Sequence, residues 1–138
     1  MPLTETAETL LRAARDVREH AYVPYSHFPV GAAVLTRDGR RFTGCNVENA
    51  AYGLCNCAER TALFAAVAAG CVPGDFVALA VAADTPAPVS PCGACRQVLA
   101  ELCDADMPVW LGNLADAVQE TRVAALLPGA FRLDAPPR

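Results

Sequence analysis

The sequence contains no lysine, and all 11 of its positively charged residues are arginines. Catalysis through a lysine Schiff base is therefore excluded, as is a Walker-type phosphate loop, which requires a lysine. Serine is also scarce, because the chain has only Ser26 and Ser90, and neither lies in the motif of a nucleophilic serine. These absences remove several common classes of enzyme.

Long hydrophobic segments and a surplus of positive charge are absent as well. The longest apolar run, 62–72, is interrupted by Gly70 and falls well short of the roughly 20 residues that span a bilayer. Glu5, Glu8 and Arg12 lie where a secretion signal would be apolar. A formal net charge of -4 provides no general attraction for a phosphate backbone. We therefore expect a cytoplasmic protein that acts on a small molecule and binds neither membranes nor nucleic acid.

Cysteine and apolar residues, in contrast, are abundant. The chain has 138 residues, of which 54% are hydrophobic and seven are cysteines. This length predicts a single domain, 1–138, whose core needs no disulfide bonds. In a reducing compartment, thiols serve packing, redox chemistry or metal binding. The high apolar fraction also predicts surface that is buried between subunits.

The hydrophobic pattern predicts an α/β fold. A first helix should follow an N-cap at Thr4 and run to about His20. The Asp-Gly pair at 38–39 predicts a hairpin between the first two strands. The order of elements predicts a mixed sheet of about five strands with helices on both faces. The elements after the first helix are strands at 30–35 and 41–47, a helix at 57–69, a strand at 76–83, a helix at 93–103, and short strands at 109–112 and 118–121.

Three cysteines occupy the predicted starts of two helices. Cys92 and Cys95 form a Cys-x-x-Cys pair at one start, and Cys57 lies at the other. Helix N-termini stabilise anions, so they lower thiol pKa values and favour the thiolates that bind zinc. A catalytic zinc commonly has three protein ligands and leaves its fourth position to water. The pattern therefore predicts that the three thiols converge on one metal.

A Cys-x-x-Cys pair alone is compatible with other functions. A redox protein would use Cys92 and Cys95 by themselves, and a structural zinc module would take a fourth ligand from another cysteine. Glu59 favours a different interpretation, because zinc deaminases place a glutamate two residues after the first ligand and a Pro-Cys-x-x-Cys sequence downstream. Cys57 has this spacing from Glu59, whereas Cys55 does not.

Longer segments of the chain resemble the small tetrameric cytidine deaminases. The resemblance covers nearly the whole chain and implies the three-layer fold of that family. It also implies hydrolysis of cytidine and deoxycytidine to uridine and deoxyuridine with release of ammonia, as in pyrimidine salvage. A related zinc deaminase that acts on a modified cytosine nucleoside is the alternative. The segments are FPVGAA at 28–33, NVEN at 46–49, CAERTA at 57–62, PCGACRQ at 91–97 and LLPGAF at 126–131.

The resemblance further implies how the metal site is divided. Cys57, Cys92 and Cys95 would hold one Zn(II) per subunit, while Glu59 would transfer protons without binding the metal. Arg60 would contact the ligand sulfurs and offset the negative charge that three thiolates leave on the metal.

The same resemblance assigns residues to the nucleoside. Asn46 and Glu48 would bind the ribose hydroxyls, Phe28 would lie on the face of the base, and the Ala58 amide would donate to the pyrimidine oxygen. These chemical types suit a diol and an aromatic base. The charge of Glu48 also disfavours a phosphate, so we expect a nucleoside rather than a nucleotide.

The resemblance implies a homotetramer whose active sites are shared between subunits. Phe131 would enter a neighbour's pocket, and the segment 50–52, with Ala51 and Tyr52, would contribute in the same way. The alternative for Phe131 is an apolar contact within its own subunit. The remaining cysteines and the histidines receive no role in the site, and Cys45, Cys71 and Cys103 are expected to be small buried residues. The residues without an assigned role are Cys45, Cys55, Cys71, Cys103, His20 and His27.

Overall fold

Helices and strands alternate along residues 4–133, the part of the chain that the computed structural model describes. Within these residues, no helix combines the length and the apolar character needed to cross a membrane. The helices are α1 (Glu5–Arg18), α2 (Ala58–Ala68), α3 (Gly93–Leu102) and α4 (Val123–Leu126). The strands are β1 (Val30–Thr36), β2 (Arg41–Cys45), β3 (Phe76–Ala83), β4 (Pro108–Gly112) and β5 (Val118–Arg122).

The five strands form one mixed sheet in the order β2-β1-β3-β4-β5. Strand β1 is antiparallel to both β2 and β3, and β5 is antiparallel to β4. Strands β3 and β4 are parallel, and the connection between them contains α3. The predicted α/β class with a mixed five-stranded sheet is confirmed.

Alternate residues of the central strands face two different helical layers, as the period of two along a strand requires. On β3, Leu79 and Val81 belong to the core cluster that also contains the buried side chains of α2, α3 and α4. Ala78, Ala80 and Ala82 belong to the cluster on the opposite face, which α1 covers. A strand covered on both faces explains the nearly continuous apolar run at 76–83.

Two elements end earlier than the sequence pattern predicts. Strand β2 ends at Cys45 rather than at residue 47, because the Asn46 side chain takes over the next pairing position. Its Oδ1 accepts from the Val30 amide at 2.8 Å, and the chain then turns so that Val47 pairs with Asn56. Helix α1 ends at Arg18, two residues before His20. The expected cap is present, since Thr4 Oγ1 accepts from the Ala7 amide at 3.1 Å.

A close approach between β2 and α2 sets the position of the helix that carries Cys57 and Glu59. A Cβ atom at Gly44 would lie 2.4 Å from the Ala62 nitrogen and 2.7 Å from the Ala58 oxygen. Only a residue without a side chain allows the two backbones to lie so close.

Candidate metal centre and active site

Three thiols meet where α2 and α3 begin. Cys57 is the N-cap of α2 and Cys92 is the N-cap of α3, while Cys95 lies in the first turn of α3. The Cys57 and Cys92 sulfurs are 3.7 Å apart, and those of Cys92 and Cys95 are 3.6 Å apart. All three sulfurs lie within 4.8 Å of one another. Ligands of a tetrahedral zinc with Zn–S bonds of 2.3 Å are about 3.8 Å apart, so the spacing suits that ion.

The ionisation of these thiols also suits a bound cation. Hydrogen bonding to the Cys95 thiol, and then to Arg60, lowers the pKa of Cys57 to about 5. The pKa of Cys95 is raised, because the neighbouring Cys57 and burial both oppose a second negative charge. Three thiolates at this distance need a positive ion to offset their charge, and Zn(II) prefers this donor set.

Arg60 supports the cluster from the first turn of α2. Its Nη2 donates to the Cys57 sulfur at 3.3 Å. This contact raises the pKa of Arg60, so the guanidinium keeps its charge. The Arg60 Nε atom is buried and has no hydrogen-bond partner among the described residues. The side chain therefore brings its positive charge to the thiol cluster through Nη2.

Glu59 lies beside the thiols without joining them. Its relative exposure is only 5%, and burial is the largest cause that raises the pKa of its carboxyl group. Within residues 4–133, the three cysteines form a ligand cluster that includes neither Glu59 nor any other Asp, Glu, His or Cys. A fourth protein ligand, which a structural zinc module would need, is therefore not found in the described part of the chain.

A cavity of about 210 Å³ opens onto Cys57, Cys92 and Glu59. It lies on the α2 and α3 side of the sheet, at the C-terminal end of β3. Three of the residues that the sequence suggested for the nucleoside line it, namely Phe28, Asn46 and Ala58. The other lining residues are Val30, Val81, Ala83, Val89 and Ser90.

Asn46 and Glu48 organise the chain next to this cavity. Besides accepting from Val30, the Asn46 side chain donates from Nδ2 to the Phe28 carbonyl at 2.9 Å. The Glu48 carboxylate accepts from the Tyr25 and Ser26 amides, both at 3.1 Å, and from the Ser26 hydroxyl. These bonds lower the pKa of Glu48. Glu48 does not line the cavity itself, but it holds the turn that leads to Phe28.

Ala51, Tyr52 and Phe131 lie outside the cavity of their own chain. Tyr52 is 76% exposed and Phe131 is 65% exposed, so neither side chain is covered in the single chain. The Tyr52 ring meets the Tyr25 ring edge to face, with centroids 6.2 Å apart. The Phe131 carbonyl accepts from Gln97 Nε2 at 3.0 Å, which ties this segment to α3.

The residues without a predicted role also lie outside the thiol cluster. Cys71 and Cys103 are buried as expected, whereas Cys45 is only partly buried. Cys55 accepts from the Asn49 amide at 3.3 Å and lies in the loop before α2. His27 has a φ of 55°, a left-handed conformation that is uncommon outside glycine.

Sequence reasoning missed the walls of the cavity that come from β3 and from the loop before α3. Val81 and Ala83 are two residues apart, so a period of two predicts a shared face, but it does not indicate which face meets the site. Val89 and Ser90 could have been predicted as wall residues, because they lie just before the candidate ligand Cys92 in the sequence.

Comparison with known proteins distinguishes the three interpretations of the thiol cluster: a redox pair, a structural zinc module and the zinc site of a deaminase. A family model described as the cytidine and deoxycytidylate deaminase zinc-binding region matches residues 4–111. The chain belongs to this family. It is therefore a zinc-dependent deaminase by family, and the cluster of Cys57, Cys92 and Cys95 is compatible with the family's zinc site.

Individual members of the family are similar over most of the chain. The cytidine deaminase of Sporosarcina psychrophila is 60% identical over 124 residues, which are 90% of this chain and 90% of that protein. The solved cytidine deaminase of Burkholderia pseudomallei is 56% identical with a TM-score of 0.89, covering 94% of this chain and all (100%) of that one. The structure from Mycobacterium tuberculosis is 39% identical with a TM-score of 0.77, covering 95% of this chain and 100% of that one.

Proposed function

We propose that this chain hydrolyses cytidine and deoxycytidine to uridine and deoxyuridine, with ammonia as the second product, in pyrimidine salvage. In this reaction water replaces the amino group at C4 of the base. The observation that carries the proposal is one cavity whose wall combines three kinds of chemical group. Its wall holds two thiols of the metal cluster, the buried carboxylate of Glu59, and the Phe28 and Asn46 side chains.

The positions of these side chains support separate roles in metal binding, proton transfer and charge compensation. When bound by Cys57, Cys92 and Cys95, zinc would supply the acidity that makes water a nucleophile at neutral pH. Glu59 would accept a proton from the attacking water and donate it to ring N3, and would later help to protonate the departing amine. Its burial beside the cavity and its absence from the thiol cluster support a proton-transfer role. Arg60 would offset the charge of the thiolates from its contact with Cys57.

The nucleoside would lie between Phe28 and the N-terminus of α2. The Phe28 ring would pack on the face of the base, and the Ala58 amide would donate to the pyrimidine oxygen. Asn46 would use its remaining hydrogen-bonding capacity for the ribose, because each of its two bonds to the backbone leaves a further N–H or lone pair. Glu48 would bind a ribose hydroxyl through the acceptor capacity that its bonds to Tyr25 and Ser26 leave on the carboxylate.

We further propose that the protein is a homotetramer with shared active sites. Ala51, Tyr52 and Phe131 would complete the pocket of a neighbouring subunit. The exposure of large apolar side chains supports this assembly, since Leu54 is 70% exposed and Leu133 is 75% exposed beside the same segments. We also propose that residues 1–138 are one deaminase domain and that it works in the cytoplasm. Seven free thiols support this location, because thiols persist in a reducing compartment.

An ultraviolet assay of the purified protein tests the reaction. The absorbance of cytidine and deoxycytidine on the long-wavelength side of their ultraviolet band should decrease as the C4 amine is removed, with release of one ammonia per nucleoside. Three related compounds should react at least about 100-fold more slowly. Cytosine lacks the ribose, cytidine monophosphate carries a phosphate, and adenosine has its amine on a purine ring. Turnover of a modified cytosine nucleoside but not of cytidine would contradict the proposal and favour the alternative.

A further inference from the structure

Arg96 makes three hydrogen bonds that none of the roles above uses. It lies directly after Cys95 in α3, and its nitrogen atoms donate in three directions. Nε donates to the Pro91 carbonyl at 2.8 Å, Nη1 to the Leu126 carbonyl at 2.6 Å, and Nη2 to the Ser90 hydroxyl at 2.5 Å. The guanidinium is planar and rigid, so three bonds from one group set the relative positions of the segments it joins.

Two of these acceptors would otherwise lack a donor. Pro91 is buried and precedes Cys92, the N-cap of α3, so its carbonyl has no place in the helical hydrogen-bond pattern. Leu126 ends the single turn of α4, whose last carbonyls are likewise without helical partners. Buried carbonyls of this kind require a donor from elsewhere, and Arg96 provides it for both.

The joined segments are the ones that shape the site. Ser90 lines the cavity, and Pro91 is followed by the candidate zinc ligand Cys92. Leu126 begins the segment that leads to Phe131. Gln97, the residue after Arg96, holds this segment by donating to the Phe131 carbonyl. One side chain therefore connects the turn before a metal ligand to the C-terminal segment.

We propose that Arg96 is a positioning residue for the metal centre: it holds the Ser90–Pro91 turn so that Cys92 and the cavity wall keep their arrangement. The proposal rests on the function proposed above. A lysine at position 96 would keep the charge, but its ammonium group is a single point on a flexible stem. It cannot reach Pro91, Ser90 and Leu126 together with the geometry of a guanidinium.

The test compares Arg96→Lys with Arg37→Lys. Arg37 also donates to a carbonyl and to another side chain, Gly74 and Asp104, but it lies after β1 at the opposite end of the sheet from the cavity. Each purified variant is measured for zinc per chain, zinc transfer to a coloured chelator, thermal unfolding, and kcat and KM for cytidine. Arg96→Lys should release zinc about 10-fold faster than wild type, and its kcat should fall about 10-fold while KM changes less than threefold. Arg37→Lys should match wild type in zinc release and kcat.

A second variant separates positioning from general instability. Ser90→Ala removes one of the three bonds without emptying the core, so zinc release should be about twofold to threefold faster at an unchanged unfolding temperature. Arg96→Lys and Ser90→Ala that both release zinc at the wild-type rate would overturn the proposal. Equal loss of zinc from Arg37→Lys would also overturn it. Zinc release needs no substrate, so a wild-type protein that binds zinc but does not deaminate cytidine would contradict the proposed function and leave this test intact.

Discussion

Among single residues, Cys57 and Glu59 have different surroundings although they are two positions apart. Cys57 precedes α2 and directs its sulfur to Cys92 and Cys95, whereas Glu59 is buried in the first turn and stays out of that cluster. Their backbones differ, because Cys57 is the extended N-cap of α2 whereas Glu59 lies within the first helical turn. Their roles can therefore be tested by separate substitutions.

Replacing Glu59 with glutamine should abolish turnover and leave the metal in place. The amide preserves size and hydrogen bonding, but it cannot accept the proton of the attacking water. We expect kcat to fall at least about 100-fold, within the usual contribution of general acid–base catalysis, with one zinc still bound per chain. Metal analysis and the ultraviolet assay measure the two quantities independently. Loss of zinc from Glu59→Gln would make Glu59 a ligand and contradict the mechanism.

Cys57→Ala and Cys55→Ala form the matched pair for the metal. Cys57→Ala should lose zinc and activity together, since two remaining thiols hold the ion weakly. Cys55→Ala should keep its zinc, because the Cys55 sulfur interacts with the Asn49 amide instead. A Cys57→Ala variant that keeps full zinc content and full activity would contradict the assignment of Cys57 as a ligand.

At the scale of elements, the position of α2 depends on the absence of a side chain at Gly44. The helix carries the site at its first turn, and its backbone passes too close to β2 for a Cβ atom. Any outward shift of α2 would move Cys57 and Glu59 relative to the cysteines of α3.

Gly44→Ala should therefore lower stability and disturb the metal centre together. Overpacking against a backbone costs about 1–3 kcal/mol, because neither β2 nor α2 can move without losing hydrogen bonds. Denaturant unfolding should show this loss, and zinc should transfer faster to a chelator. Gly53→Ala is the control, since a Cβ atom there would meet nothing within 4 Å. Equal stability of both variants would show that α2 is not constrained by this contact.

At the scale of the whole molecule, the single chain leaves its cavity partly open and several large apolar side chains uncovered. Phe131 lies on a segment tied to α3 through Gln97 and Arg96, so its position is defined although its ring is exposed. A defined but uncovered aromatic side chain suits a contact with another subunit.

Light scattering should give the mass of four chains, and Phe131→Ala should weaken nucleoside binding without loss of zinc. An aromatic packing contact of about 0.5–1.5 kcal/mol corresponds to a rise in KM of about twofold to 13-fold. Leu114→Ala changes another exposed apolar residue, on the loop between β4 and β5, and should leave KM unchanged. An active monomer would contradict shared sites, and an unchanged KM in Phe131→Ala would exclude that residue from the pocket.

Local sequence patterns were enough to predict the elements and the chemistry that depend on short distances along the chain. Helix starts at Cys57 and Cys92, the Cys-x-x-Cys spacing and the glutamate two residues after Cys57 are local patterns. These patterns predicted a zinc deaminase, and the order of helices and strands predicted the α/β sheet; both predictions are confirmed. Local patterns are sufficient to predict a metal-binding thiolate here, because the backbone amides and the dipole of the same helix stabilise the thiolate at its N-terminus.

The packing of the folded chain was needed to show which distant residues surround the candidate site. The sequence did not indicate that Glu48 would hold the turn at Ser26, that Val81 would face the cavity, or that Arg96 would join Pro91 to Leu126. The hydrogen bond between Ser26 and Glu48 joins residues 22 positions apart, and that between Arg96 and Leu126 joins residues 30 positions apart. Helix and strand propensities do not predict contacts over such separations. They depend on how the layers pack, because side chains from separate segments meet only after the sheet and its helices have assembled.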